Sequence, residues 1–210
     1  MTKKIVLVLF VLVLTSLGYM YIHQNKSKNQ EQNNEYQLNT QEVDLLKEGD
    51  IILRHGFGII SDAIAKISNQ SISHCGILCR DVHQQWVVVH TVSNTLSTTD
   101  GMQIESLSSF TKGSKKNSIH IIRFKNQSDS LQKLFINQTF YYLNKQIPFD
   151  NQFNTNDSSE FYCTELIRHL YLTTYQTDIY QNHKQDILGF EPFFDKKIFK
   201  SVVSHIENKN

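Results

Sequence analysis

Strand-like and helix-like segments follow one another without regular alternation, and this order constrains the fold more than any other feature of the sequence. Short apolar segments predict strands over 50–54, 74–79, 86–92 and 119–124. Apolar residues at i, i+3, i+4 and i+7 predict helices over about 60–67, 129–143 and 162–171. Clustered strands flanked by helices favour an α+β domain, with a small antiparallel sheet packed against helices.

Residues 1–23 have the pattern of a signal peptide or a membrane anchor. Lys3 and Lys4 precede an uncharged, Val- and Leu-rich run from Ile5 to Ile22. As a helix this run would be about 27 Å long, just short of a hydrocarbon core of about 30 Å. Small residues at Ser16 and Gly18 suit cleavage by a signal peptidase. Both interpretations export the domain to the periplasm or cell envelope, and they differ in whether it stays anchored to the inner membrane.

Residues 24–37 are mostly Asn, Gln, Lys, Ser and Glu, and this composition predicts a polar linker. We therefore expect the folded domain over 38–210. The formal net charge is +1, so the chain has no overall field that would attract nucleic acid. Runs of lysine such as Lys3-Lys4 and Lys115-Lys116 are too short to form a phosphate-binding surface, and we expect no nucleic-acid partner.

Cys163 is the strongest candidate nucleophile, because it falls at or near the start of the helix predicted over 162–171. The partial positive charge of a helix N-terminus stabilises a thiolate and lowers the pKa of the cysteine. A buried structural cysteine is the more common fate of this residue type, and position alone does not decide between the two.

Two histidines lie in adjacent predicted strands. If residues 81–83 form a three-residue hairpin loop, His74 and His90 are directly opposite each other, with Gly76 opposite Val88 on the same face. One imidazole could then act as a base while the second holds its ring in position. For either histidine taken singly, a partly exposed strand position without a role is the better interpretation.

The sequence favours neither a metal site nor a cofactor. Cys75, Cys79 and His83 lie near the two histidines, but strand alternation points both cysteines away from His74. The rise of the strand also separates the two sulfurs too far for one tetrahedral ion or for a disulfide. Phosphate-binding, dinucleotide-binding and serine-hydrolase motifs are absent from the sequence.

Three segments in order resemble the permuted papain-like amidases, the YiiX/YaeF group of the NlpC-like cysteine hydrolase superfamily. These segments are Gly49–Arg54, Ile72–Ile77 and Phe161–Leu166, and Pro148–Asp150 with Phe153 is also similar. The resemblance covers roughly 49–171 and implies a circularly permuted papain-like fold, in which the histidine strand precedes the cysteine helix.

The resemblance implies that Cys163 is the nucleophile, His74 the base and His90 the residue that orients it. Some relatives have glutamate at the third position, and the lecithin–retinol acyltransferase-like relatives have histidine. We expect a hydrolase that cleaves an amide or ester of a cell-wall peptide or a lipid acyl group through an acyl-thioester. The alternatives are a lipid acyltransferase with the same site and an inactive module that binds an envelope component.

Overall fold

The computed structural model describes residues 3–126, 128–155, 158–182 and 187–206. The helices are α1 (Lys3–Gln32), α2 (Thr40–Asp44), α3 (Ile59–Ile67), α4 (Leu107–Lys112), α5 (Asp129–Asn144) and α6 (Cys163–Tyr175), with a 3-10 turn at Glu191–Phe194. The strands are β1 (Ile51–Arg54), β2 (His74–Arg80), β3 (Trp86–Val92), β4 (Gly101–Ser106), β5 (His120–Phe124) and β6 (Phe199–Ser204). The predicted α+β class is confirmed.

The strands form one antiparallel sheet in the order β4-β3-β2-β1-β5-β6. Because side chains alternate between the faces of a strand, the central strands contribute to two separate cores. Ile51 and Leu53 pack in the larger core, which includes residues of α5 and α6, whereas Ile52 packs in a smaller core with Phe110 of α4. The sheet therefore separates the α6 side of the domain from the α4 side.

Two of the strands, β4 and β6, and the short helix α4 were not predicted from the sequence. Strand β4 extends the sheet beside β3, pairing His90 with Gln103 and Val88 with Glu105. It brings a carboxylate close to the histidines, as described below. Strand β6 covers the opposite edge of the sheet beside β5.

The N-terminal helix α1 includes the predicted apolar run and continues into the predicted linker as far as Gln32. Helical Gln, Lys and Glu residues extend it at little cost, since they are good helix formers. The end of the linker is docked on the domain: the Asn34 amide donates to the carbonyl oxygens of Lys112 and Ser114. Within the described ranges, no helix combines the length and apolarity that crossing a membrane requires.

The predicted register of the β2–β3 hairpin is wrong by two residues. Leu78 is paired with Val88 and Arg80 with Trp86, which places Gly76, not His74, opposite His90. The connecting loop spans residues 81–85 instead of 81–83, because the Asp81 carboxylate accepts hydrogen bonds from the backbone N–H groups of residues 83 and 85. A shift of two residues preserves the face, so His74 and His90 are diagonal neighbours on the same side of the sheet.

Candidate active site

Cys163 is the first residue of α6, where the backbone changes from extended at Tyr162 to helical. The Glu165 carboxylate accepts a hydrogen bond from the Tyr162 backbone N–H at 3.2 Å, and this contact fixes the start of the helix. N–H groups in a first helical turn have no partner within the helix. The half-buried Cys163 thus lies where a helix stabilises negative charge most strongly.

The environment of Cys163 lowers the pKa of its thiol. The largest contribution is a hydrogen bond donated by the thiol of Cys75, and backbone N–H groups of Cys75, Cys163 and Thr164 add to it against the opposing effect of burial. Burial and the neighbouring Cys163 sulfur raise the pKa of Cys75 well above its usual value. Cys163 is therefore the sulfur of this pair that ionises, and Cys75 remains a thiol that can donate.

His74 and His90 are in direct contact on the α4 side of the sheet. His74 Nε2 lies 2.8 Å from His90 Nδ1, and the two rings are nearly perpendicular, with their centroids 5.0 Å apart. The ring of Phe110 packs against both imidazoles, with centroids 5.9 Å from His74 and 5.6 Å from His90. Gly76 makes room for this arrangement, because a Cβ atom there would lie 3.1 Å from His90 Cβ and 2.5 Å from Val88 Cγ1.

Glu105 of β4 continues this chain of polar groups. Its Oε1 atom lies 3.2 Å from His90 Nε2, within ion-pair distance. Its carboxylate also lies 3.8 Å from Arg54 Nη1, which donates a 2.7 Å hydrogen bond to the carbonyl oxygen of Phe110. The carboxylate has a lowered pKa because the hydrogen bond to His90 and the charge of Arg54 outweigh the effect of burial.

The electrostatics of the pair favour neutral imidazoles. Burial, the neighbouring His90 and the positive charge of Arg54 lower the pKa of His74 well below its usual value. Burial also lowers the pKa of His90, although Glu105 opposes this shift. With the His90 proton on Nε2 toward Glu105, His90 Nδ1 accepts a hydrogen bond from His74 Nε2–H. This tautomer leaves His74 Nδ1 with a lone pair, as a general base requires.

Cys163 and His74 line the same cavity, whose volume is about 610 Å³. Cys75 follows His74 in β2, so its contact with Cys163 sets the nucleophile at the end of the strand where His74 lies. Of the three residues singled out from the sequence, His74 and His90 are in contact on the α4 side of the sheet, whereas Cys163 contacts Cys75 on the α6 side and shares with His74 only the cavity that both line. Their chemical roles remain predictions.

Tyr162 and Asp50 have structural roles. Tyr162 is buried, and its hydroxyl accepts a hydrogen bond from the backbone N–H of Leu188 at 2.9 Å, so it holds the segment after α6 against the helix. The fully buried Asp50 accepts two hydrogen bonds from Arg123, at 2.6 and 2.7 Å, and joins the start of β1 to β5.

Glu105 and Arg54 are parts of the site that were not predicted from the sequence. The alternation of Met102, Gln103, Ile104 and Glu105 has the two-residue period of a strand and could have indicated β4. In the described part of the chain, no group of three or more His, Cys, Asp or Glu side chains is arranged to hold a metal ion.

Comparisons with known proteins agree with this fold. The family described as "Permuted papain-like amidase enzyme, YaeF/YiiX, C92 family" matches residues 45–197. Among solved structures, the chain is similar to YiiX of Escherichia coli O157:H7, described as a metalloprotein, with a TM-score of 0.62 and 18% sequence identity. The similarity covers 77% of this chain and 98% of YiiX. No curated protein matches the sequence.

Proposed function

The chain belongs to the permuted papain-like amidase family, and from this premise we propose that it is a thiol-dependent hydrolase that cleaves an amide or ester through an acyl-thioester on Cys163. One observation carries the proposal: a cysteine with a lowered pKa begins a helix in the same cavity as a half-buried histidine whose pKa is also lowered. Activated cysteine nucleophiles have this environment, whereas structural cysteines are buried among apolar groups and inert.

In the first half of the reaction, His74 Nδ1 takes the proton of the Cys163 thiol, and the sulfur forms a bond to the acyl carbonyl carbon. The backbone N–H of Cys163, at the start of α6, donates to the oxyanion that develops. The C–N or C–O bond then breaks, and the proton on His74 passes to the leaving amine or alcohol.

In the second half, His74 takes a proton from water, whose oxygen attacks the thioester carbon. The C–S bond breaks, the acid leaves, and the proton returns to the sulfur. His90 acts as a positioning residue in both halves: its Nδ1 atom, 2.8 Å from His74 Nε2, holds the ring and stabilises the imidazolium. The Glu105 carboxylate, 3.2 Å from His90 Nε2, holds the His90 ring on the side away from His74.

Two rates test the proposal. The rate at which iodoacetamide alkylates Cys163 is measured by peptide mapping as a function of pH. The midpoint of this pH profile is expected to lie below the free-thiol pKa of about 8.5. Hydrolysis of p-nitrophenyl acetate is expected to fall by about 10²- to 10⁴-fold in His74→Ala, because the general base is lost. Alkylation should persist in that variant, since Cys75 and the helix N–H groups still stabilise the thiolate.

The exposed hairpin histidine provides a matched control, and His83→Ala should hydrolyse the ester at the wild-type rate. The proposal would be overturned by a pH profile of Cys163 alkylation with its midpoint near 8.5, or by ester hydrolysis that is retained in Cys163→Ala.

A further inference from the structure

Cys75 lies beside the sulfur of Cys163, although the proposed reaction gives it no chemical step. Its thiol and its backbone N–H both donate hydrogen bonds to the Cys163 sulfur. Both residues are free thiols, and their side chains contact the larger core on the α6 side of the sheet. A disulfide requires Cα atoms within about 7 Å of each other. Two residues joined by a backbone and a side-chain hydrogen bond to one sulfur meet this requirement.

The contact between the two sulfurs is built from regular elements of the fold. Cys75 is in β2, which is hydrogen-bonded to β1 on one side and to β3 on the other. Thr91 of β3 donates a 3.0 Å hydrogen bond to the carbonyl oxygen of Phe161, just before the start of α6. In the first turn of α6, the Thr164 hydroxyl donates a 2.7 Å hydrogen bond to a later segment of the chain. Cys163 is thus held against β2 from both sides, and the sulfurs meet without the movement of a loop.

The two thiols differ in what can reach them. Cys163 lines the cavity of about 610 Å³, whereas Cys75 is 1% exposed and is not among the described lining residues. The hydrogen bonds from Cys75 and from backbone N–H groups lower the pKa of Cys163 and so favour its thiolate, the form that peroxides oxidise. A small oxidant in the cavity therefore reacts with Cys163, while Cys75 is shielded from solvent but in contact with the oxidised sulfur.

We propose that a hydroperoxide oxidises Cys163 and that Cys75 traps the product as an internal Cys75–Cys163 disulfide, which reversibly stops hydrolysis. The cross-link rests on the contact between the two sulfurs, and only the loss of hydrolysis rests on the proposed function. A cysteine without a thiol partner oxidises further, to sulfinic and sulfonic acids that thiols do not reduce. Cys75 thus protects the nucleophile in a form that a thiol reductant restores.

With hydrogen peroxide the reaction has two steps. The Cys163 thiolate attacks one oxygen, the O–O bond breaks, and the leaving hydroxide takes up the proton that the thiol had lost, forming water. Cys163 is now an uncharged sulfenic acid; burial still raises the pKa of Cys75, but the charge of the neighbouring sulfur no longer adds to it. The Cys75 sulfur then attacks the Cys163 sulfur, the S–O bond breaks, and the hydroxide leaves with the Cys75 proton as water. Two thiols are oxidised to one disulfide, and one peroxide is reduced to two waters.

Cys79 provides a matched control on the same strand. It lies on the same face of β2 as Cys75 and is equally buried, and burial raises the pKa of its thiol. Four strand residues separate it from Cys75 by about 13 Å, too far to reach the sulfur that Cys75 contacts. Cys79→Ala should therefore form the same cross-link as wild type, and Cys75→Ala should form none.

The test uses full-length protein that is reduced with dithiothreitol, freed of reductant, treated with hydrogen peroxide and then blocked with N-ethylmaleimide in denaturant. The reduced monomer takes up three N-ethylmaleimide groups, one for each cysteine, and the oxidised monomer should take up one, on Cys79. The non-reduced digest should contain the peptide of Cys75 linked to that of Cys163. Trypsin leaves Cys75 and Cys79 in one peptide, so the digest of Cys79→Ala assigns the bond.

Hydrolysis of p-nitrophenyl acetate is followed in the same samples, each compared with its own untreated protein. In wild type and Cys79→Ala, activity should be lost as the cross-link forms and should return with dithiothreitol. In Cys75→Ala, peroxide should convert Cys163 to sulfinic and sulfonic acids, and the lost activity should not return. Dimedone added with the peroxide should label the sulfenic acid of Cys163 more strongly in Cys75→Ala than in wild type.

Oxidation of wild-type Cys163 to sulfinic or sulfonic acid with Cys75 still free, or a bond to Cys79, would overturn the cross-link. Three free thiols after peroxide treatment would overturn it as well. A Cys75–Cys163 disulfide that leaves hydrolysis unchanged would instead overturn the proposed function, because Cys163 would then not be the nucleophile. The wild-type and Cys79→Ala digests decide between these outcomes even if Cys75→Ala folds poorly.

Discussion

Replacing His90 tests the arrangement of the site at its most specific contact. His90→Leu removes the acceptor 2.8 Å from His74 Nε2 and leaves that N–H buried without a partner. A hydrogen bond to a group that becomes charged contributes about 1.5–3 kcal/mol, and a factor of ten corresponds to about 1.4 kcal/mol. The value of kcat/KM should therefore fall between about 10- and 150-fold in His90→Leu. In His90→Asn the side-chain oxygen can accept the same hydrogen bond, so kcat/KM should fall less than in His90→Leu.

Ester hydrolysis by purified full-length variants gives these values, and Cys163 alkylation measured on the same samples separates catalysis from folding. Alkylation of Cys163 should be nearly unchanged in both His90 variants, since the thiolate is stabilised by Cys75 and by backbone N–H groups. His83→Leu is the control for loss of a histidine from the same hairpin. A kcat/KM for His90→Leu within twofold of wild type would show that His90 does not hold the base.

Three further predictions follow from the contacts around the site. Glu105→Gln should lower kcat/KM less than His90→Leu does, because the carboxylate acts through His90, and steady-state hydrolysis of the two variants compares them. Cys75→Ala should raise the pKa of Cys163, since it removes the largest contribution to the lowered value; the midpoint of the alkylation rate against pH measures the change. Gly76→Ala should cost about 1–3 kcal/mol of unfolding free energy in urea, because the new Cβ overlaps Val88 and crowds His90.

Acid should destabilise the domain through the same histidines. The pKa values of His74 and His90 are lowered in the folded state, so below about pH 6.5 the unfolded chain binds protons that the folded chain does not. The free energy of unfolding is therefore unaffected by these histidines above that pH. It falls as the pH drops below it, by up to about 1.4 kcal/mol per pH unit for each histidine. Urea unfolding of wild type and His74→Gln at pH 7.5 and 5.5 measures the effect; an equal loss in both would contradict it for His74.

Much of the fold could be predicted because its central elements have strong patterns. The predicted strands over 74–79 and 86–92 correspond to β2 and β3, and the helix predicted over 129–143 corresponds to α5 at Asp129–Asn144. Strand β4 was missed because only its first two residues are buried, and three of the four that follow are polar or charged. Strand β6 was missed for the same reason, because Lys200 and Ser201 are polar and exposed in an edge strand.

The site could be predicted in its residues but not in its register. Face alternation survives an error of two residues, so the prediction that His74 and His90 share a face did not depend on the correct loop, although the prediction that they are directly opposite did. The loop itself depends on Asp81, which accepts from two backbone N–H groups, and on Gln84, which has a φ of 61°. Glutamine rarely marks a left-handed position, and the sequence therefore favoured a shorter loop.

The acyl-enzyme is the most direct test of the central claim that Cys163 is a nucleophile. Wild-type protein is mixed with p-nitrophenyl octanoate, quenched in acid within the first turnover, and analysed by intact mass and peptide mapping. We expect one octanoyl group on the peptide that contains Cys163, which disappears as octanoate is released and is absent in Cys163→Ala. If wild type hydrolyses the ester with no adduct on that peptide, and Cys163→Ala hydrolyses it at the same rate, Cys163 is not the nucleophile.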